Sequence, residues 1–488
     1  MKLFSAEQCQ QLDRTAIESW NIPGLLLMKR AAFGAFLTLQ NHWPKANKVT
    51  LLCGTGNNGG DGLALAQYAL LTGLDVTVVI IGNPQNFKPD ARQVYEELIQ
   101  LGVTPVDFSK EVLNTDVIVD ALLGIGINKP ISGQLVDVIH AVNQSEAPVL
   151  ALDIPTGVDA TTGSIHGCAI KADVTISFIA HKMGLYTGVG ADHIGQIIID
   201  DLKLPEALFD TTPNLADFHD LAYWKERLPV RATSAHKGSS GTALLIGGNH
   251  SMAGAIQLSA TAALRAGAGL VKVITQNEHT NMLTEQQPEL MCYPTTQLDE
   301  LLPLANAIAI GPGLGLDEWA QNLLLKTLDH LQHHQTPAVL DADALKLLAQ
   351  NPKLSPQNPH WVLTPHPGEA AEMLGCTPQE IQNDRISAIY ELHELYGGVI
   401  LLKGNGTLIF DGEHLELCPL GNPGMAVGGM GDVLTGMITS YLAQGSRQGL
   451  SLMAAACLGA YRHAAIADQV VETRNLTSLI PSDIIAGL

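Results

Sequence analysis

At 488 residues the chain is too long for one ordinary core, and 46% hydrophobic residues, 15% charged residues and 47 glycines suit a folded, turn-rich α/β protein of two or more domains rather than a disordered chain. A formal net charge of −21 repels polyanions, which excludes nucleic acid and anionic membrane as natural partners and obliges any anionic ligand to find a local pocket of backbone N–H groups or lysines. Seven scattered cysteines without a C-x-x-C pair exclude a disulfide framework and a zinc site, and with no signal-peptide core and no apolar run near the ~20 residues that cross a bilayer, a cytoplasmic protein is expected.

In chain order, the first strands predicted are Val49–Cys53, Val76–Gly82, Val117–Leu122, Pro148–Pro155, Val174–Ile179 and Ile194–Leu202. The early ones are almost continuously apolar, as strands buried on both faces are, and helical stretches such as DGLALAQYALLTG and DARQVYEELIQLG lie between them. That alternation predicts a doubly wound parallel sheet with helices on both faces. Residues 204–229 break the rhythm with prolines and aspartates; they are read as a linker and a lead-in helix without a strand. A second α/β pattern starts at GTALLIGG (Gly241–Gly248) and continues through LVKVIT, AIAIGPG, AVLDAD, WVLTP, VILLKG and TLIFDG. The expected domains are residues 1–215 and 222–488.

CGTGNNGGDG (Cys53–Gly62) follows a buried strand and opens an apolar helix. Gly54, Gly56 and Gly59 satisfy G-x-G-x-x-G, but the second strand ends without the acidic residue that would hold a ribose, which disfavours a standard NAD dehydrogenase. Asn57, Asn58 and Asp61 place side-chain acceptors beside backbone donors, which suits a phosphate with a cation; the plain alternative is a ligand-free turn. Asp120 and Asp153 close later strands, where open parallel sheets bind ligands, although either alone could simply cap a turn.

GTGNNGGDG, DALLGIG, LDIPTGVD and HKMGL (His181–Leu185) resemble, in order, the NAD(P)H-hydrate epimerases. The resemblance implies a potassium ion held by Asn58, Asp120 and Thr156. It implies substrate contacts from Asn57, Asn58, Gly59, Gly60 and Asp61, from Gly124, Ile125, Gly126, Ile127, Asn128, Lys129 and Pro130, and from Asp153. A carboxylate near C6 of the hydrated ring can shuttle the proton, and Asp153 is the candidate acid–base. Lys182 is a second choice, with a surface lysine as the alternative.

In the second half, NPGMAVGGMGDVLTGMI (Asn422–Ile438) sets Gly429, Met430, Gly431 and Asp432 at the start of an apolar helix. Free N–H groups there form an anion hole, and Asp432 can accept a hydroxyl proton. LLKGNGTLI (Leu401–Ile409) is a strand, a Lys-Gly turn and a second strand; no Walker A sequence is present. The Gly-x-Gly-Asp pattern resembles the ribokinase-like superfamily. HKGSSGTALLIGGNHSMAGA, QPEL, GPGLG, LDADAL and LTPHPGEAAEML narrow the likeness to the NAD(P)H-hydrate dehydratases over residues 225–488. That resemblance implies ADP contacts from Lys403, Gly404, Asn405, Gly406 and Thr407 and from Asn422, Pro423, Gly424, Met425, Ala426, Val427, Gly428, Gly429, Met430 and Gly431. Hydrate contacts are implied from Gly254, Ala255, Gly313, His366 and Asp432, with Asp432 catalytic and Mg²⁺ accompanying ADP.

The expected fold class is α/β, a Rossmann-like three-layer α/β/α domain followed by a ribokinase-like α/β/α domain. The expected function is repair of hydrated NADH and NADPH by epimerisation and ADP-dependent dehydration, with small-molecule ligands only and a homo-oligomeric assembly. Two alternatives stand beside it: a vitamin-precursor kinase on the same superfold, and a non-catalytic nucleotide sensor. The epimerase-like half counts against the first and the two strand-end and helix-start aspartates against the second.

Overall fold

The computed structural model describes residues 1–127, 129–228, 230–351, 357–445 and 449–488. The chain divides into two compact units, Met1–Ala216 and Asp217–Leu488. In the first unit the strands are β1 (Lys2–Phe4), β2 (Lys48–Cys53), β3 (Asp75–Ile80), β4 (Val117–Ala121), β5 (Val149–Leu152), β6 (Val174–Phe178), β7 (His181–Lys182) and β8 (Gln196–Asp200). Six of them form a wholly parallel sheet in the order β3-β2-β4-β5-β6-β8, while β1 and β7 pair in parallel outside it, which apolar patterning did not announce.

Every residue of β4, β5 and β6 is buried, which explains why they read as unbroken apolar runs. The period of two divides β2 between the faces. Val49, Leu51 and Cys53 join the core beneath the helices Gly24–His42, Asn57–Leu71 and Pro89–Gln100, and Leu52 joins the core beneath Gln134–Gln144. Because β3 lies on one side of β2 and β4 on the other, the connections leave β2 and β4 in opposite directions and open a crevice at their carboxyl ends.

Between the sheets, residues 204–229 hold the two-residue strand β9 (Ala216–Asp217) where no strand was expected, and the helix Leu221–Lys225, capped by Asp220, where a lead-in helix was. The second unit's strands are β10 (Thr242–Ile246), β11 (Leu270–Thr275), β12 (Met291–Pro294), β13 (Ala307–Ile310), β14 (Ala338–Leu340), β15 (Trp361–Leu363), β16 (Val399–Leu402), β17 (Thr407–Phe410) and β18 (Leu415–Cys418). Their order is β12-β11-β10-β13-β14-β15-β16-β17-β18, parallel through β16 and antiparallel for the last two pairs. β12 and β18 were missed: MCYP and LELC are too short and mixed to stand out.

The crevice of this sheet lies between β10 and β13. The helix Met430–Gly445 is buried on almost every side, packed against Ala253–Arg265 so closely that a methyl on Gly436 would stand 2.0 Å from the Ser259 carbonyl oxygen. Among the described residues no helix is long and apolar enough to cross a membrane.

Candidate active sites

In the first unit the loops after β2 and β4 are knitted at the crevice. The Gly54 N–H donates to the Ala121 carbonyl at 2.9 Å, and a methyl on Gly54 would lie 1.9 Å from the Leu122 carbonyl oxygen. No side chain larger than hydrogen fits there. The helix Asn57–Leu71 begins at Gly56 without a side-chain cap, so its first N–H groups face the crevice unclaimed by a cap. A methyl on Gly124 would stand 3.2 Å from a carboxylate oxygen of Asp153 and 3.3 Å from Cβ of Asn58. The loops after β2, β4 and β5 therefore converge, as their aspartates and asparagines suggested.

Asp120 is fully buried at the end of β4. Its carboxylate accepts hydrogen bonds from the Thr156 hydroxyl (2.7 Å), the Thr156 N–H (2.7 Å) and the Leu122 N–H (3.2 Å). Burial pushes its pKa up to about 6, against the pull of those donors. Asn58, packed against Gly124, is 8% exposed, and neither its amide oxygen nor its nitrogen has a hydrogen-bond partner. An orphaned buried amide in a native fold calls for a ligand. Oxygens of Asn58, Asp120 and Thr156 are hard donors, of the kind an alkali cation takes, whereas no group of three His, Cys, Asp or Glu is arranged to hold a metal ion among the described residues.

Asp153 has φ of +70°, a strained backbone setting for a non-glycine residue and a mark of functional positions. Its carboxylate meets the Lys182 ammonium at 2.7 Å. Lys182 is 1% exposed and not a surface lysine; it also donates to the Ser177 hydroxyl (2.8 Å) and the Phe178 carbonyl (2.9 Å). The pairing with Asp153 was not legible in the sequence, though hydroxyls at alternate positions of VTISF, inside an otherwise apolar strand, were a faint signal. Asp61 is held well above the ordinary carboxylate range, by burial first and then by the charges of Asp153 and Asp13. Of the remaining loop expected to contact substrate, Ile125 and Ile127 are half-buried, Gly126, Lys129 and Pro130 are exposed, and Asn128 lies outside the described residues. Among the described residues of that loop, Gly124 stands against Asp153.

In the second unit the loops after β10 and β13 are tied by Gly248 N–H to Pro312 O (3.0 Å) and Asn249 N–H to Gly313 O (2.7 Å). Gly313 has φ of +57°, and a methyl there would approach the Met252 carbonyl oxygen to 2.7 Å and the Ala255 Cβ to 3.1 Å. Gly254 faces open space. His366 caps the helix Pro367–Leu374: its Nδ1 accepts from the N–H groups of Gly368 (2.9 Å) and Glu369 (3.2 Å), which leaves the proton of the neutral ring on Nε2. The Nε2 edge is exposed and lies 3.4 Å from a Glu369 carboxylate oxygen.

Asp432 stands in the first turn of Met430–Gly445. Burial, then the Asp341 charge, push its pKa up to about 7, while Lys403 pulls the other way. The Lys403 ammonium lies 2.8 Å from Asp341 and 3.8 Å from Glu369. The Lys403 side chain thus joins the carboxylate cluster at Asp432, while its backbone starts the turn expected to meet ADP. That turn is built on Arg385, a residue the motifs did not flag. Its guanidinium, 1% exposed, donates to the carbonyls of Leu402 (3.1 Å), Lys403 (3.3 Å) and Gly406 (3.3 Å), and burial lowers its pKa to about 10. Gly404 has φ of +145° and would place a methyl 2.5 Å from the guanidinium, so glycine is required. Asn422 caps the Pro423–Met425 turn through Gly424 N–H (3.0 Å) and is held by Asp468 (2.8 Å). Ala426, Val427 and Gly428 are exposed on the way to Gly429, whose φ is +96°.

The family described as NAD(P)H-hydrate dehydratase matches residues 243–487, and the family described as YjeF-related protein N-terminus matches residues 24–184. A bifunctional NAD(P)H-hydrate repair enzyme of Coxiella burnetii is 43% identical over 100% of this chain and 98% of its own length. One of Escherichia coli is 39% identical over 100% of this chain and 93% of its own. Among solved structures, a ribokinase-like superfamily protein of Enterococcus faecalis is 30% identical with a TM-score of 0.51, covering 56% of this chain and 94% of that one. Likeness to two-activity enzymes over the whole chain leaves the vitamin-kinase alternative less supported, and the chain belongs to the family of bifunctional NAD(P)H-hydrate repair enzymes.

Proposed function

We propose that the first unit interconverts the R and S hydrates of NADH and NADPH, with Asp153 as acid–base, and that the second dehydrates the S form at the expense of ADP, giving NAD(P)H, AMP and phosphate. The hydrate carries a hydroxyl on C6 beside the ring nitrogen, a hemiaminal that epimerises through ring opening or loss of water. Asp153 shuttles the proton of the C6 hydroxyl, and the Lys182 ammonium 2.7 Å away holds that carboxylate in place. A potassium ion held by Asn58, Asp120 and Thr156 would supply fixed positive charge at the crevice for the nucleotide phosphates.

Hydroxide leaves poorly and phosphate well. In the second unit Asp432 takes the proton of the C6 hydroxyl as its oxygen attacks the terminal phosphorus of ADP, and AMP departs. The amides of Gly428–Gly431 stabilise the transferring group. The ring-nitrogen lone pair then expels phosphate, and loss of a C5 proton restores the dihydropyridine. Mg²⁺ bound with ADP would offset phosphate charge. Gly254, Ala255, Gly313 and His366 would line the hydrate's place, and the turns Lys403–Thr407 and Asn422–Gly431 that of ADP.

The observation that carries the reading is Asp432, poised near neutral pH at a glycine-rich helix start beside the Lys403 ammonium. The test is incubation with hydrated NADH and ADP: dihydronicotinamide absorbance should return only when ADP is present, and an unchanged absorbance would refute it.

A further inference from the structure

LDADAL was singled out in the sequence without a role for its first aspartate. Asp341 ends β14 and is 1% exposed. Each oxygen of its carboxylate has its own donor: the Lys403 ammonium at 2.8 Å on one and the Thr435 hydroxyl at 2.7 Å on the other. Its backbone is equally constrained, with its N–H on the Ile310 carbonyl at 3.1 Å and its own carbonyl oxygen 1.8 Å from where a methyl on Gly311 would be. Thr435 is on the same helix as Asp432, three residues on, so both face the same way. A methyl on Gly431 would lie 3.2 Å from the Lys403 ammonium and 3.5 Å from Asp341, which puts the ion pair directly beneath the glycine amides of the helix start.

A buried ion pair is a poor source of stability compared with apolar packing, so its place under a reacting centre calls for another role. We infer that Asp341 is a positioning residue of the dehydratase: it holds the Lys403 ammonium beside Asp432, so that the ion pair and the proton-accepting carboxylate work as one charged unit.

The groups that bear on Asp432 are Asp341, Lys403, Asp343 and Glu369. His463, from the helix Leu452–Val471, backs onto Met430 and is kept neutral by burial, with its pKa lowered to about 4. Asp341 favours the protonated form of Asp432 and Lys403 the ionised form. Neutralising the two partners should therefore displace the acid limb of activity in opposite directions, which a merely structural ion pair would not do.

The inference rests on Asp432 being the base. The test is the pH dependence of kcat/KM for ADP-dependent dehydration by the full chain. Asp341→Asn should move the acid limb down by about one pH unit, Lys403→Gln should move it up by a similar amount, and the double variant, which leaves neither charge unpaired, should lie between them. Thermal melting checks folding; if one single variant does not fold, the other is compared with the double variant. Limbs that stay put, or both move the same way, overturn the inference. If Asp432→Asn keeps its full rate, the failure belongs to the assignment of the base instead.

Discussion

Asp120 shows how burial shifts an ordinary carboxylate, and how the proposed cation site can be tested through that shift. Its pKa of about 6 lies above its ordinary 3.8, so the fold binds this proton more tightly than the unfolded chain does, and stability from this group is lost as pH rises from about 4 through 6. A cation bound to the ionised carboxylate opposes that loss. Potassium should therefore raise the melting temperature of the first unit more at pH 7.5 than at pH 5, and Asp120→Ala should erase the difference. An equal rise at both pH values, or an equal rise in the variant, would remove Asp120 from a cation site. Epimerisation by Asp120→Ala at full rate in potassium-free buffer would tell against the same assignment.

Whole elements are set by single residues at their ends. Gly54 holds the loops after β2 and β4 in contact, and a methyl there would meet the Leu122 carbonyl at 1.9 Å. Gly54→Ala should push the loops apart and lower epimerisation by at least about 100-fold, since misplacement of about 1 Å costs that much. Chromatographic separation of the R and S hydrates measures it. In the second unit Arg385 is the template of the β16–β17 turn. Arg385→Met would remove three hydrogen bonds to the carbonyls of the turn and should cost about 3 kcal/mol of stability by thermal or denaturant unfolding. Calorimetry should show weaker ADP binding, with Arg385→Lys restoring only part of it because an ammonium cannot span three carbonyls in one plane. Unchanged ADP affinity in the methionine variant would detach this turn from the nucleotide.

For the whole molecule the central expectation is separable activities. Asp153 closes a strand of one sheet and Asp432 begins a helix packed on the other. Asp432→Asn keeps the shape and removes the base, so ADP-dependent repair should fall by about 10²–10⁴-fold while R and S hydrates still interconvert. Asp153→Asn should repair the S hydrate at the normal rate and the R hydrate only as fast as it epimerises unaided. Progress curves on mixed hydrates check both; loss of epimerisation in a folded Asp432→Asn protein would sink the two-site scheme.

Local order was legible because it has a local cause. Val117–Leu122 and Pro148–Pro155 read as buried strands since a central parallel strand must be apolar on both faces, and Asp120 and Asp153 fell at strand ends, where parallel sheets open their crevices. The glycine runs marked turns that no side chain could enter. The edge strand β12 and the short strand β18 escaped, because half-exposed or short segments carry little pattern. The sequence by itself therefore determined the two α/β units, their loop-borne motifs and the family they resemble. Only the tertiary structure decided which charges meet: Lys182 with Asp153, Arg385 with the turn beyond β16, and Asp341 with Lys403 and Thr435, 62 and 94 residues away. Such pairs depend on strand order and burial, which bring distant side chains together in a low-dielectric interior, and no periodicity along the chain encodes them.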